Sequence, residues 1–161
     1  MSKRLEPKLS DRLFERMNGA QFRNLRFQVL LLITIDEHGF PYPSMLSYLE
    51  VLAIDRQNIR MAPWNNSTAT ANLRRNGKGT LLVIDEGLAC YLQGTATELC
   101  RDLDGFPGMA KINFQLESIL EDKALDYEGS ARLTTGVRFE NPQMDEAYLD
   151  RASRVLEALR R

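Results

Sequence analysis

The chain has 161 residues, of which 43% are hydrophobic and 27% are charged, and its formal net charge is -1. This composition predicts one globular domain spanning residues 1–161, with no overall attraction to nucleic acid or acidic membranes. The apolar run 29–33 is far shorter than the roughly 20 residues of a membrane helix, and the amino terminus has no apolar segment of the signal-peptide type. We therefore expect a cytoplasmic protein without nucleic-acid or membrane partners.

The first third of the chain predicts one short helix and two strands. The helix falls within residues 5–19, where Ser10 is a good N-cap. Residues 26–35 predict a strand buried on both faces, and the turn 36–39 leads into a second strand over residues 41–54. Both sides of this second strand are largely apolar, so we expect one to face a barrel interior and the other a helix or a second subunit.

The most informative stretch is residues 58–85. It predicts a short strand over residues 59–63, a polar loop, a two-turn helix capped by Ser67, and a buried strand over residues 80–84. Gly77 follows an asparagine at the helix end, which indicates a left-handed stop.

The predicted start of this helix is a candidate anion site. The backbone amides of a first helical turn lack intrahelical partners, and they lie at the positive end of the helix dipole. Phosphate binds readily at such an end. The alternative is that Ser67 only caps the helix. Polar side chains flank this end: Asn65, Asn66, Ser67, Thr68 and Thr70.

The rest of the chain adds strands and a final helix. Gly94 interrupts a strand and permits a β-bulge or sharp curvature. The predicted elements are a strand over residues 88–99, a loop over 102–108, a half-buried strand over 112–117, a polar loop over 126–129, a strand over 131–139 and a helix over about 142–160. Asn141 and Pro142 are predicted to open that helix. Six or seven strands with flanking helices predict a mainly β fold of the barrel type.

Several motifs carry a resemblance to a known family. Gly-x-Pro-Tyr ends at Tyr42, an Asn-x-x-x-Asn-Gly motif begins at Asn72 within the serine-capped helix, and Gln-Gly-Thr-Ala begins at Gln93. In this order, residues 33–99 resemble the FMN-binding split-barrel family typified by pyridoxamine 5'-phosphate oxidase and small flavin reductases. The resemblance implies a split β-barrel, a homodimer with flavin at its two-fold interface, and a flavin-dependent oxidoreductase or reductase acting on a small-molecule substrate.

The resemblance also implies which residues would hold FMN. Backbone groups in two segments would hold the ring, and hydroxyl groups at the helix start would take the phosphate. Trp64 would stack on the ring or on a substrate, or else be a core or interface aromatic. The implied cofactor-binding residues are Ser44, Met45, Leu46, Ser47, Ala62, Pro63, Trp64, Asn65, Ser67, Thr68 and Thr70.

The cations that the family uses for phosphate are missing here. Ser44, Thr68 and Ala69 stand where the family has Arg or Lys, and Leu49 stands where the oxidase has a further Lys. Neutral donors give hydrogen bonds about half as strong as charge-assisted ones. We therefore do not expect pyridoxamine phosphate oxidase activity itself. The arginines that could substitute are Arg60, Arg74 and Arg75, or Arg132 and Arg138 of a second copy.

The alternative function is a non-catalytic split-barrel binding module, with another ligand or a degenerate flavin site. The sequence contains no motif for other chemistries: it has no Gly-x-Ser-x-Gly, no phosphate-binding loop and no Cys/His cluster with zinc-site spacing. His38 is the only histidine and falls in a turn, and the two cysteines, Cys90 and Cys100, match no metal motif. We expect no metal, and the sequence singles out no catalytic side chain.

Overall fold

The computed structural model describes residues 2–122 and 131–161, so the predicted loop 126–129 lies outside the described residues. Within them the chain forms strands β1 to β8 and helices α1 to α3. The strands are β1 Ser2–Leu5, β2 Val29–Ile35, β3 Pro41–Ser47, β4 Val51–Ala53, β5 Asn58–Met61, β6 Lys78–Asp85, β7 Leu88–Cys100 and β8 Lys111–Asp122. The helices are α1 Asp11–Met17, α2 Thr68–Asn76 and α3 Glu146–Arg160.

All strand pairs are antiparallel, in the order β3-β2-β6-β7-β8-β5-β4, and the sheet curls into a split barrel. The predicted mainly β barrel with flanking helices is thus confirmed, with eight strands in the described residues rather than six or seven. One strand that was not predicted is β1, which pairs with residues 119–122 at the end of β8. The bulge predicted at Gly94 is present, because the register of β7 on β8 shifts between Gln93 and Gly94.

The predicted strand over residues 41–54 is wrong in one respect, since the chain turns at residues 48–50 and divides it into β3 and β4. Ser47 causes the break: its hydroxyl accepts a hydrogen bond of 3.1 Å from the Leu49 amide, and its carbonyl accepts one from the Glu50 amide. Local serine bonds of this kind compete with a strand ladder. The turn contains Glu50, which lines a cleft between β3 and α2.

Two predictions near the carboxyl end are also wrong. Residues 131–139 form no strand. They lie beside the sheet and contact it through one isolated β-bridge, between Gln28 and Arg138, and through neighbouring backbone hydrogen bonds. The last helix begins at Glu146 rather than after Asn141, because Asp145 is the N-cap and its carboxylate accepts from the Tyr148 amide at 2.9 Å. An acidic cap also suits the positive end of the helix dipole.

The main core fills the barrel with aliphatic side chains and Phe114, which is fully buried. Helix α1 adds Leu13 and Met17 to this core, and Ser10 caps α1 as predicted. Helix α3 packs outside, where Val155 and Leu159 lie with Leu52 of β4 in a separate cluster. None of the helices in the described ranges is long and apolar enough to span a bilayer.

Candidate ligand-binding cleft

Helix α2 begins with a closed set of hydrogen bonds around Ser67. The Ser67 Oγ accepts from the Thr70 amide at 3.2 Å, and the Thr70 hydroxyl donates to the carbonyl of Trp64 at 2.8 Å. Because the single hydroxyl proton of Thr70 is used there, the 2.9 Å contact between the two hydroxyls is a donation by Ser67. This set fixes the backbone of the first turn.

The next two amides, those of Thr68 and Ala69, have no hydrogen-bond acceptor among residues 2–122 and 131–161. Thr68 is exposed, and both residues line an open cleft of about 200 Å³ between β3 and α2. Free donors at a helix start are the feature that binds an anion. The cleft is lined by Tyr42, Ser44, Met45, Leu46, Glu50, Pro63, Trp64, Ser67, Thr68 and Ala69.

A second cleft of about 360 Å³ lies on the other side of the same helix start. It shares Tyr42, Ser67 and Thr68 with the first cleft, so Thr68 lies where the two clefts meet, whereas Ala69 lines only the first. The second cleft also holds charges of both signs, the carboxylates of Asp36 and Glu37 and the guanidinium of Arg75. An elongated ligand with an anionic end could therefore extend across both clefts.

The structure separates the three arginines that could replace the missing cations. Arg60 donates to the carbonyls of Leu159 and Arg160 at 2.7 and 3.1 Å, and so caps the end of α3. Arg74 holds both carboxylate oxygens of Glu98, at 2.5 and 3.0 Å, which raises the arginine pKa and lowers the glutamate pKa. These two guanidinium groups are committed elsewhere.

Arg75 is the arginine with remaining capacity. Its Nη2 donates to the side-chain oxygen of Asn72 at 2.7 Å and to the carbonyl of Ile35 at 3.0 Å. Within the described part of the chain no carboxylate forms an ion pair with it. Asp36 and Glu37 line the same cleft, however, and would oppose an anion there. Arg75 is the positive charge that can offset them. A contribution from Arg132 or Arg138 of a second copy stays a prediction.

The structure brings most of the predicted site residues to the first cleft: Ser44, Met45, Leu46, Pro63, Trp64, Ser67 and Thr68. The Ser44 hydroxyl donates to the carbonyl of Leu32 at 3.1 Å, so its oxygen remains free to accept. Trp64 is 52% exposed and Met45 67% exposed, which is unusual for apolar side chains of this size and gives the cleft an open apolar rim.

Four predicted residues do not line the cleft. Ala62 and Thr70 are completely buried, and Ser47 is engaged in the turn after β3. Asn65 bonds to the carbonyl of Arg101 at 2.5 Å and accepts from Arg74, so it braces the loop that precedes α2. These residues support the walls of the cleft.

The prediction missed three residues of the wall, Tyr42, Glu50 and Ala69. A signal for Glu50 was present, since it is the one acidic residue between the apolar stretches Leu49 and Val51–Ala53. Burial raises the pKa of the Glu50 carboxyl to about 7, although its bond with the Ser47 amide and the charge of Arg151 act in the opposite direction. A half-buried carboxyl with this pKa in a cleft is a candidate functional group.

Comparison with known proteins gives the family. No family model matches the chain. The uncharacterized protein YclD of Bacillus subtilis (strain 168) is 32% identical over 153 residues, covering 95% of this chain and 96% of that protein. The chain therefore belongs to the same family as YclD, and its fold is that of the pyridoxamine 5'-phosphate oxidase-like split barrels.

Solved structures agree on the fold. One is a protein from Lactobacillus delbrueckii proposed to be a pyridoxamine 5'-phosphate oxidase, with TM-score 0.58, 21% identity, and coverage of 74% of this chain and 98% of that chain. Another is HutZ, the heme storage protein from Vibrio cholerae, with TM-score 0.50, 17% identity, and coverage of 67% and 94%. At these identities the likeness establishes the fold, and the ligand has to be argued from the cleft itself.

The residues of the cleft fit FMN. The amides of Thr68 and Ala69 suit its phosphate, and Arg75 offers the cation. Tyr42, Met45 and Trp64 give an apolar wall for a planar ring.

Proposed function

We propose that this protein binds FMN in the cleft between β3 and α2 and acts as a flavin-dependent oxidoreductase on a small-molecule substrate. The observation that carries the proposal is the pair of unpaired amides, Thr68 and Ala69, at a helix start that opens into a cleft with an apolar wall. The family's phosphate cations are absent, so these amides and Arg75 take their place in the proposal.

Each residue has a defined part. The two amides and the Thr68 hydroxyl donate to the phosphate oxygens, while the Arg75 guanidinium offsets the carboxylates of Asp36 and Glu37. The exposed Trp64 and Met45 side chains would form an apolar wall beside the ring and exclude water from it. Bound flavin would supply hydride or electron transfer, and the protein would supply binding, orientation and substrate exclusion.

A homodimer is part of the proposal. Large apolar side chains of the cleft lining are exposed, with Met45 67% and Trp64 52% exposed. Apolar groups gathered on one surface mark an interaction site, and a second copy would cover them and close the ring site. Gel filtration with light scattering at micromolar concentration tests this, and a monomer would contradict it.

Flavin titration tests the central proposal. FMN is added to the purified protein, and binding is followed by calorimetry and by the change in visible absorption. Riboflavin serves as the matched ligand, because it has the same ring without phosphate. We expect FMN to bind at least about tenfold more tightly, since one charge-assisted hydrogen bond contributes roughly 1.5–3 kcal/mol.

The alternative is a binding module without flavin. A colourless protein that FMN leaves unchanged would favour it and reject the proposal. Hemin is the useful contrast ligand, because HutZ has the same fold and stores heme. The only histidine, His38, is exposed in the turn between β2 and β3 and lines the second cleft but not the first. We therefore expect no tight hemin binding through a histidine in the cleft between β3 and α2.

A further inference from the structure

Among the residues that the structure describes, Glu50 is the only carboxyl that lines the first cleft. It is the last residue of the turn after β3, where its Oε1 accepts a hydrogen bond of 2.8 Å from the Ser47 amide. That bond holds the side chain in one orientation. Across residues 2–122 and 131–161, no donor lies within hydrogen-bond distance of the other oxygen, Oε2.

The two oxygens of Glu50 are therefore chemically different. Oε1 is an acceptor already satisfied by the backbone, so a proton on this carboxyl belongs on Oε2. Oε2 has no partner among the described residues and is not fully enclosed by the protein. Because the residue lines the cleft, Oε2 is available to whatever occupies it.

Few charges act on this carboxyl. Arg151 of α3 is the charged group that acts on it, and Tyr42 of β3 is the other titratable side chain in the cleft lining. The start of α2 contributes Ser67, Thr68 and Ala69, none of which titrates in this range. Desolvation is the largest influence on the Glu50 pKa, which is about 7, so both protonation forms are populated near neutral pH.

We propose that Glu50 is a specificity residue of the cleft, whose protonated Oε2 donates a hydrogen bond to an acceptor on the planar part of the ligand. The acceptor would be a carbonyl oxygen or an unprotonated ring nitrogen. This inference rests on the proposed function, because the flavin ring is the planar group in question. It adds a chemical requirement, that the ligand edge facing Glu50 accepts a hydrogen bond, and it makes binding depend on a proton.

The test compares the wild type with Glu50→Gln. The glutamine amide keeps an oxygen for the Ser47 amide and presents an N–H donor to the cleft at every pH. For the wild type, FMN affinity is expected to fall about tenfold or more between about pH 6.5 and about pH 8.5, as the carboxyl ionises. For Glu50→Gln the affinity should change much less, and the variant also corrects for titration of the FMN phosphate.

Proton uptake gives a second measurement, which is made on the wild type and on Glu50→Gln. Riboflavin has no phosphate to titrate, so its binding enthalpy is measured at about pH 8 in buffers of different ionisation enthalpy. Binding to the wild type is expected to take up most of one proton per site, because the donating form has to be restored above its pKa. Circular dichroism checks that the variant is folded.

The outcomes are distinct. Steep pH dependence and proton uptake in the wild type, both lost in Glu50→Gln, support the inference. Equal pH profiles for the two proteins, or riboflavin binding without proton uptake, overturn it and leave flavin binding standing. Flavin binding by neither protein at any pH rejects the inference together with the proposed function.

Discussion

The Asn72 side-chain amide donates a hydrogen bond of 2.9 Å to the hydroxyl of Thr34, and the two residues are only 2% and 1% exposed. This contact joins α2 to β2 inside the protein. Asn76, one turn later, donates to the carbonyl of Ile35 at 2.8 Å. Both asparagines of the Asn-x-x-x-Asn motif therefore fix α2 on the sheet, which sets where its free amides lie relative to β3.

Removing the buried contact is expected to cost far more than removing the exposed one. Asn72→Ala leaves the buried Thr34 hydroxyl without this partner and should lower the free energy of unfolding by about 2 kcal/mol. Asn76→Ala, at an exposed position, should lower it by about 0.5–1 kcal/mol. Urea unfolding followed by circular dichroism measures both. Equal losses would mean that the buried contact contributes no more than its exposed neighbour.

Arg75 is expected to act on the phosphate and not on the ring. Arg75→Met should weaken FMN binding about tenfold and leave riboflavin binding nearly unchanged, because only FMN carries the charge that the guanidinium offsets. Arg154→Met, an exposed arginine on α3, is the matched control and should change neither. Calorimetry gives the affinities. A similar loss for both ligands would show that Arg75 supports the cleft only through Asn72 and Ile35.

Stability should depend on pH through Glu50. Its pKa rises from the ordinary 4.5 to about 7 in the folded protein, so folding disfavours the carboxylate. The folded state is then not penalised below about pH 4.5, loses stability as the pH rises toward about 7, and stays at the lower level above that. Each pKa unit corresponds to about 1.4 kcal/mol, so the full cost is at most about 3 kcal/mol.

Glu50→Gln removes this cost. The variant should match the wild type at about pH 4 and be more stable at about pH 8, by up to about 3 kcal/mol. Unfolding curves in urea at the two pH values provide the comparison. A variant that is less stable at both would indicate that the carboxylate is favoured by the turn and that burial has little influence.

A glycine is required at position 94 because the backbone at Gln115 approaches it closely; the φ angle there does not require one. A Cβ built there would overlap the carbonyl oxygen of Gln115 and lie 2.9 Å from Cε1 of Phe114. Gly94→Ala should therefore destabilise the protein by about 3 kcal/mol, because the bulge would have to shift. Gly87, with φ +58° and no atom within 4 Å, is the control, and Gly87→Ala should cost about 1 kcal/mol. Comparable losses in thermal unfolding would argue against crowding at the bulge.

Local signals predicted the centre of the fold well. Ser67 and Gly77 delimit α2 through a cap and a left-handed residue with φ +65°, and both signals lie in the immediate sequence. The hairpin between β2 and β3 was equally clear, because an Asp-x-x-Gly turn links two apolar runs. The phosphate end of the candidate site followed from these elements.

The features that the sequence did not reveal depend on distant or competing contacts. β1 is defined only by its pairing with the end of β8, more than a hundred residues later. The break after Ser47 depends on side-chain bonds that compete with an apolar pattern typical of a continuous strand. Glu50 was missed for the same reason, since a continuous strand would have carried it away from the cleft.

The chain contains a single tryptophan, Trp64, and this residue stands half exposed at the cleft rim and not in the barrel interior. Trp64 forms an isolated β-bridge with Met109 and comes directly before the loop that precedes α2. The fluorescence emission of Trp64 will therefore depend on a ligand bound beside the indole, and not on whether the barrel is folded. A flavin ring alongside it should quench that emission, whereas disassembly of the sheet should leave the signal close to that of an already hydrated indole.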